Sequence, residues 1–221
     1  MSVEVFPSSR VRRGASTAPL FFVVLGMRFQ RLCVFCGSSM GARAEYRAAA
    51  ETLGQMFVER GIELVYGGGN IGLMGVLADK VLARGGHVIG VIPESLMAKE
   101  VGHLGLTELR VVGSMHERKA VMSDLSDGFI ALPGGFGTIE EFCEVVTWSQ
   151  LGIQSKPCGL LNVENYFAPL LELFDQAVRE RFMREENRRL VLDDIDPVRL
   201  LEKMATFEPE LVPKWIGREE R

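Results

Sequence analysis

The sequence predicts an α/β fold, a Rossmann-like doubly wound parallel sheet of about seven strands with helices on both faces. Short, continuous apolar segments alternate along the chain with longer segments of helical period. Continuous apolar strands are typical of parallel sheets that are covered on both faces. Glycine-rich turns follow three of these apolar segments, where strands of such a sheet lead into helices and where ligands bind.

The individual elements follow from the same alternation. The apolar segments predict strands at residues 32–36, 62–66, 87–92, 106–112, 128–132, 158–163 and 190–192. The helical segments cover residues 42–60, 73–84, 115–126, 138–150, 166–182 and 197–207. Right-handed connections between parallel strands place these helices on both faces of the sheet.

A single domain is predicted for residues 27–207, because no repeat, linker or low-complexity segment interrupts the pattern. Residues 1–26 are predicted to be a disordered N-terminal extension, with Met27 as an alternative start. Residues 19–27 faintly resemble a signal peptide, but the apolar stretch is short and no typical cleavage site follows it. Residues 208–221 are predicted to be a charged C-terminal tail.

Composition limits the class of protein. Of 221 residues, 47% are hydrophobic and 24% are charged, which excludes disordered and fibrous chains. The net charge of −4 argues against a strongly basic nucleic-acid-binding protein. No segment reaches the ~20 apolar residues of a membrane span. We therefore expect a cytoplasmic protein that binds neither nucleic acid nor membranes.

Cys33 and Cys36 form a C-x-x-C pair, which could indicate zinc or redox chemistry. They lie in a predicted strand, where residues three apart point to opposite faces. No second cysteine pair or nearby histidine completes a zinc site. Two buried thiols are predicted here, and no metal site is expected.

Three glycine-rich turns are predicted to lie at one edge of the sheet. They are CGSS at 36–39, GGGNIGLMG at 67–75 and PGGFGTIEE at 133–141. A glycine-rich turn that opens a helix exposes backbone N–H groups and the positive end of the helix dipole, which suits a phosphate. Tight packing is the alternative explanation for any one of them. Two such loops beside a Gly-Ser-Ser turn favour binding of a nucleotide or sugar phosphate.

A dinucleotide-binding fingerprint is a further interpretation, because Gly67, Gly69 and Gly72 satisfy G-x-G-x-x-G. The motif follows the second predicted strand rather than the first, which argues against this interpretation. The glycine-rich loop at 133–141 would also have no role in binding a dinucleotide. No Walker A sequence occurs in the chain, which excludes hydrolysis by a P-loop NTPase.

Two charged residues stand out beside the loops. Arg118 shares an apolar helix stripe with Met122, which is unusual unless its guanidinium pairs with an anion, either a ligand or an internal carboxylate. Glu141 lies on the stripe of Val145 and also completes a Thr-x-x-Glu pattern with Thr138. A capping box and a catalytic carboxylate are equally supported for Glu141.

Together, the segments GGGNIGLMG at 67–75, MHERK at 115–119 and PGGFGTIEE at 133–141 resemble the LOG (LONELY GUY) family. Members of that family are cytokinin riboside 5′-monophosphate phosphoribohydrolases, and the resemblance covers the chain from about residue 32 to about residue 207. It implies hydrolysis of the N-glycosidic bond of an adenosine 5′-monophosphate, N6-modified or not, without a cofactor. The products would be the free base, cytokinin or adenine, and ribose 5-phosphate.

The resemblance also implies the site residues. The catalytic pair would be Arg118 and Glu141. The phosphate would be held by Gly134, Gly135, Gly137 and Thr138. Further substrate-binding residues would be Ser39, Gly69, Met115 and Lys119.

Two other implications concern alternatives and assembly. Family members have often carried a lysine decarboxylase label, but no pyridoxal phosphate site can be argued from these residues. Molybdenum-cofactor carrier proteins are similar in fold and glycine loops, so a non-catalytic nucleotide or cofactor carrier is the alternative function. A homodimer is implied, with residues 166–182 and the region of Trp148 as conceivable contact surfaces.

Overall fold

A computed structural model describes residues 29–97 and 102–208. All seven strands run parallel in one sheet of order β4-β3-β2-β1-β5-β6-β7. The strands are β1 (Arg31–Phe35), β2 (Glu63–Tyr66), β3 (Val88–Pro93), β4 (Glu108–Val112), β5 (Gly128–Ala131), β6 (Cys158–Leu161) and β7 (Val191–Asp194). The predicted fold class is confirmed, and each predicted strand overlaps one strand of the sheet.

Helices connect the strands. They are α1 (Ala44–Arg60), α2 (Gly72–Ala83), α3 (Glu94–Met97), α4 (Met115–Leu125), α5 (Phe136–Gln150), α6 (Ala168–Arg179), α7 (Glu185–Arg188) and α8 (Pro197–Ala205). A short 3-10 helix covers Val163–Asn165. The helix predicted at 166–182 is shorter, because Arg181 adopts a left-handed φ of 63° that a continuing helix does not allow.

The start predicted for α5 at residue 138 is wrong. The helix begins two residues earlier, at Phe136, with Gly135 as its N-cap. Gly135 offers no side chain to cap the helix, so the local sequence lacks the usual start signal. The Thr-x-x-Glu pattern that follows imitates a capping box although it lies inside the helix.

Apolar side chains pack in two layers, one on each face of the sheet. Phe57 of α1, Leu77 of α2 and Leu200 of α8 belong to the first layer. Met122 of α4 and Phe142 of α5 belong to the second. Each such side chain stabilises the fold by about 1.5–3 kcal/mol through burial. The second layer holds α4 and α5 together on one face of the sheet.

The cysteine pair behaves as predicted. Cys36 is buried in the first apolar layer and Cys33 in the second, so the two thiols lie on opposite faces of the sheet. All four cysteines of the chain are free.

The predicted N-terminal extension at residues 1–26 lies outside the described residues, as do residues 209–221 of the predicted tail. Within residues 29–97 and 102–208, no helix has both the length and the apolar character that a membrane crossing requires. The boundaries of the single predicted domain stay a prediction.

Candidate functional site

The carboxyl ends of β1, β2 and β5 meet at the middle of one sheet edge. From β1 the sheet grows in one direction through β2 to β4, and the chain then returns to place β5 on the other side of β1. The crevice between β1 and β5 is therefore a topological switch point, where open α/β sheets bind their ligands. The three glycine-rich segments are the loops that surround it.

Backbone hydrogen bonds lock these loops to one another. The Gly37 N–H donates to the Pro133 carbonyl at 3.1 Å, and the Leu73 N–H donates to the Gly37 carbonyl at 3.0 Å. Gly72 has a φ of +62°, and a Cβ atom there would overlap the backbone of Ser38. Close packing thus explains these glycines, and it fixes the relative positions of all three loops.

Gly135 and Gly137 have no such structural requirement. A Cβ atom at either position would meet no atom of residues 29–97 and 102–208 within 4 Å. The φ of Gly135 is −88°, and Gly137 lies in the first turn of α5. Glycine inside a helix costs about 0.5–1 kcal/mol relative to alanine. Open space over the N–H groups of a helix N-terminus is what an approaching anion needs.

Arg118 extends from α4 into the interior of the sheet edge. Its Nε donates to the Val91 carbonyl at 3.1 Å, and its Nη2 donates to the Gly67 carbonyl at 3.2 Å. Only 7% of the side chain is exposed. Gly67 must be glycine because the guanidinium occupies the space that a Cβ atom would need.

The start of α4 fixes the direction in which Arg118 points. The Ser114 hydroxyl accepts a hydrogen bond from the Glu117 N–H at 3.1 Å, as an N-cap does. The Glu117 carboxylate reaches back and accepts from the Gly113 N–H at 2.8 Å. Ser114 therefore caps α4, while the glutamate bonds one residue before the position of a regular capping box.

Glu141 faces Arg118. The Arg118 Nη2 and Glu141 Oε1 atoms are 3.8 Å apart, and the Glu141 side chain is 12% exposed. Because α5 begins at Phe136, Thr138 is not its N-cap, so the capping-box interpretation of Glu141 is wrong. The internal ion pair predicted as one alternative for Arg118 is present, and it joins the two residues predicted to be catalytic.

The thiols of Cys33 and Cys36 provide no nucleophile beside this pair. Burial, and after it the negative charge of Glu141, raises the pKa of both thiols well above the ordinary value. They therefore stay protonated and act as small apolar groups.

Lys119 lies between α4 and α5. Its Nζ is 2.7 Å from Glu140 Oε1 and 2.9 Å from Glu144 Oε2, and the side chain is 11% exposed. Burial lowers the pKa of Lys119, but the hydrogen bonds to these carboxylates outweigh it and raise the pKa above the usual value. The lysine thus ties the helix of Arg118 to the helix of Glu141.

Thr138, predicted for the phosphate, and Ser39, predicted as a further substrate contact, lie in the segments that follow β5 and β1. Thr138 is buried, and its side chain fills the space where a Cβ atom of Gly134 would be. Ser39 is exposed, and its hydroxyl accepts a hydrogen bond from the Gly41 N–H at 3.4 Å.

Gly69 lies in the loop after β2, and Met115 is the first residue of α4. Gly69 is buried and pairs with Gly102 in an antiparallel bridge. Met115 is exposed, and its Sδ is 3.7 Å from Arg118 Nη1. A thioether is a weak acceptor, so Nη1 keeps most of its capacity to donate to another group.

Sequence reasoning missed His103, which fastens the glycine loop at 67–70. Its backbone N–H donates to the Gly68 carbonyl at 3.0 Å, and its ring Nε2 lies 2.9 Å from Asp79 Oδ1. The histidine is buried. Nothing in its sequence context distinguishes it from a surface histidine.

Tyr46 and Tyr166 were also missed. They line a cavity of about 300 Å³ on the α1 side of the loop at 133–135, whereas Arg118 and Glu141 lie on its α4 and α5 side. Tyr166 follows β6, the neighbour of β5, so its place at this sheet edge was a usable signal. The other lining residues are Gly37, Ser38, Ser39, Gly41, Leu73, Pro133, Gly134 and Gly135.

Comparison with known proteins places the chain in a family. A family model described as "Possible lysine decarboxylase" matches residues 74–204. The cytokinin riboside 5′-monophosphate phosphoribohydrolase LOG of Oryza sativa subsp. japonica is 52% identical over 183 residues, which are 83% of this chain and 76% of that protein. The chain belongs to the LOG family. A LOG-family phosphoribohydrolase of Arabidopsis thaliana is 49% identical over 83% of this chain and 84% of its own length.

Membership of the LOG family confirms the predicted family and the predicted enzyme class, an N-glycosyl hydrolase. The decarboxylase description of the family model is not the activity that the relatives' names state. We therefore base the functional assignment on these relatives and not on the family model.

Solved structures support the fold. The molybdenum cofactor binding protein of Rippkaea orientalis superposes with a TM-score of 0.59 at 23% identity, over 80% of this chain and 95% of that one. The molybdenum cofactor carrier protein of Chlamydomonas reinhardtii gives a TM-score of 0.58 at 20% identity, over 80% of this chain and 100% of that one. At these identities the likeness concerns the fold alone, so the carrier alternative is the weaker one.

The open space at Gly137 generates a test. Replacing Gly137 by alanine should leave the stability unchanged or raise it by up to about 1 kcal/mol, because alanine is the better helix former. The added methyl group should at the same time weaken binding of a phosphate-bearing ligand at least tenfold. Thermal melting and nucleotide titration measure the two effects. Undiminished nucleotide affinity in Gly137→Ala would contradict the anion site.

Proposed function

We propose that this LOG-family enzyme hydrolyses the N-glycosidic bond of adenosine 5′-monophosphates, with or without an N6 substituent. It releases adenine or a free cytokinin base together with ribose 5-phosphate. The buried pair of Arg118 and Glu141 beside an open helix N-terminus is the observation that carries this proposal. The names of relatives that are about half identical to the chain state the same reaction.

The N-terminus of α5 holds the 5′-phosphate in this proposal. The N–H groups around Gly134, Gly135 and Gly137 donate to the phosphate oxygens, and the positive end of the helix dipole attracts the charge. Thr138 supports the loop from the buried side. Binding the phosphate fixes the ribose relative to α5, which supplies the orientation that the reaction needs.

Glu141 acts on the sugar. Cleavage of a ribosyl bond builds positive charge on the ribose in an oxocarbenium-like state. The Glu141 carboxylate stabilises that charge and accepts a proton from the water that attacks C1′. Its position one turn along α5 from the phosphate loop places it on the same helix that binds the other end of the ribose phosphate.

Arg118 acts through the part of its guanidinium that the protein leaves available. Nε and Nη2 are held by the Val91 and Gly67 carbonyls, while Nη1 contacts the Met115 thioether, which is a weak acceptor. Nη1 is therefore the group that binds a substrate oxygen or stabilises charge on the departing base. Ser39, Gly69, Met115 and Lys119 are proposed as further nucleotide contacts.

A homodimer is part of the proposal. Leu173 on α6 is 58% exposed, Phe182 is 90% exposed, and Ile153 after α5 is 66% exposed. Leu173 and Phe182 lie within residues 166–182 and Ile153 lies close to Trp148 in sequence, so we propose all three as contacts of the dimer. Light scattering of the purified chain should give twice the chain mass, and Leu173→Glu should shift it toward the monomer. A monomeric wild type with full activity would contradict this part of the proposal.

We also infer that the enzyme works in the cytoplasm. All four cysteines are free thiols, and three of them are buried. Such cysteine usage is typical of proteins from reducing compartments.

The reaction is tested on the purified chain by chromatography. AMP and N6-isopentenyl-adenosine 5′-monophosphate are supplied without added metal, and free base and ribose 5-phosphate are quantified. Wild type should release both products in equal amounts. Glu141→Gln keeps the shape of the side chain but removes its charge, so kcat should fall by about 10²–10⁴-fold. Arg118→Lys should lose a comparable factor, because an ammonium group cannot reproduce the guanidinium contacts.

Glu140→Gln is the matched control for the glutamate variant. Glu140 is the neighbouring residue on α5, is half exposed and pairs with Lys119, which keeps Glu144 as a partner. Its kcat should stay within about twofold of wild type, because Lys119 keeps its ion pair with Glu144. Binding of nucleotide without release of base by wild type would move the carrier alternative to first place.

A further inference from the structure

The Tyr166 side chain forms a hydrogen bond with the glycine-rich loop that follows β5. Its hydroxyl donates to the Gly134 carbonyl at 2.6 Å, a short hydrogen bond across 32 residues of sequence. The relatives' names and the loop motif assign this tyrosine no role. The contact joins the segment after β6 to the loop after β5.

The segment that carries Tyr166 is built to hold its position. Asn162 is buried, and its side-chain carbonyl accepts from the Phe167 N–H at 2.7 Å. The Tyr166 ring packs edge-on against Tyr46, with ring centroids 5.8 Å apart, and against Phe167 at 5.1 Å. Packing thus fixes the ring so that its hydroxyl lies at the Gly134 carbonyl of the loop.

The orientation of the Gly134 carbonyl determines the direction of the Gly135 N–H. In a trans peptide the carbonyl of one residue and the N–H of the next point in opposite directions, so holding the Gly134 carbonyl also holds the Gly135 N–H. Both residues are glycines, and without Cβ atoms the peptide plane between them rotates more easily than any other. Within the described part of the chain, the Gly135 N–H has no hydrogen-bond partner.

We propose that Tyr166 is a positioning residue for phosphate recognition, whose hydroxyl holds the Gly134–Gly135 peptide with its N–H facing the bound anion. This rests on the proposed function in that the anion is the 5′-phosphate of the substrate. In the opposite peptide orientation a carbonyl oxygen faces the phosphate and repels it. Without the hydroxyl the two orientations compete, and the apparent affinity falls by the fraction of chains in the competent one.

Tyr166→Phe tests the role of the hydroxyl, because it keeps the ring packing and removes only the donor. The Michaelis constant for AMP and the dissociation constant of ribose 5-phosphate should both rise about three- to tenfold. That is the change in affinity expected from the loss of one hydrogen bond. The turnover number should change by less than about twofold, since the phosphate is held equally in the ground and transition states. Binding of adenosine, which carries no phosphate, should be unchanged.

Tyr66→Phe is the matched control. It removes the same atom from a buried tyrosine whose hydroxyl has no hydrogen-bond partner among the described residues. Neither its melting temperature nor its phosphate affinity should fall, because no hydrogen bond is lost. Melting curves of both variants separate a loss of fold from a loss of phosphate affinity.

Two results would overturn the role of Tyr166. One is wild-type affinity of Tyr166→Phe for AMP and ribose 5-phosphate. The other is an equal loss of affinity for adenosine and for the phosphate-bearing ligands, which would indicate general damage to the site. The proposed function fails separately, if wild type binds AMP without releasing base. The affinity comparison between wild type and Tyr166→Phe stays decisive for the tyrosine in that case.

Discussion

A guanidinium group inside a sheet edge must be neutralised and hydrogen-bonded, and the rest of the site depends on how this protein meets that demand. An unpaired charge in a protein interior costs several kcal/mol. Arg118 satisfies the demand with the carbonyls of Gly67 and Val91 and with the Glu141 carboxylate. One side chain therefore ties α4 to β3, to the loop after β2 and to α5. The charged groups are fixed by the fold before any ligand arrives, which is the condition for electrostatic catalysis.

The glycines around this pair divide into two kinds. Gly67, Gly72 and Gly134 make room for protein atoms, so they serve the packing of the loops. Gly135 and Gly137 make room for no atom of the part of the chain that the structure describes. At position 137, inside the first turn of α5, alanine would be the more stable residue. Stability is commonly sacrificed at functional sites in this way. The Tyr166 hydroxyl also holds this loop through its hydrogen bond to the Gly134 carbonyl.

Sequence reasoning went furthest where geometry follows from topology. The carboxyl ends of parallel strands share one edge, so the meeting of three glycine loops was predictable, as was the inward direction of Arg118 and Glu141 from their helix stripes. It failed at the start of α5, where Gly135 gives no capping signal. The partners of Lys119 were out of reach as well, because periodicity along one helix does not tell which carboxylates of a neighbouring helix it meets.

The most direct measurement is a crystal structure of Glu141→Gln soaked with AMP. The phosphate oxygens should lie about 2.7–3.2 Å from the backbone nitrogens of Gly135 and Gly137. The ribose C1′ should lie beside residue 141, and a substrate oxygen should contact Arg118 Nη1. A nucleotide whose phosphate lies away from the N-terminus of α5, or whose C1′ faces away from residue 141, would contradict the assignment of the site.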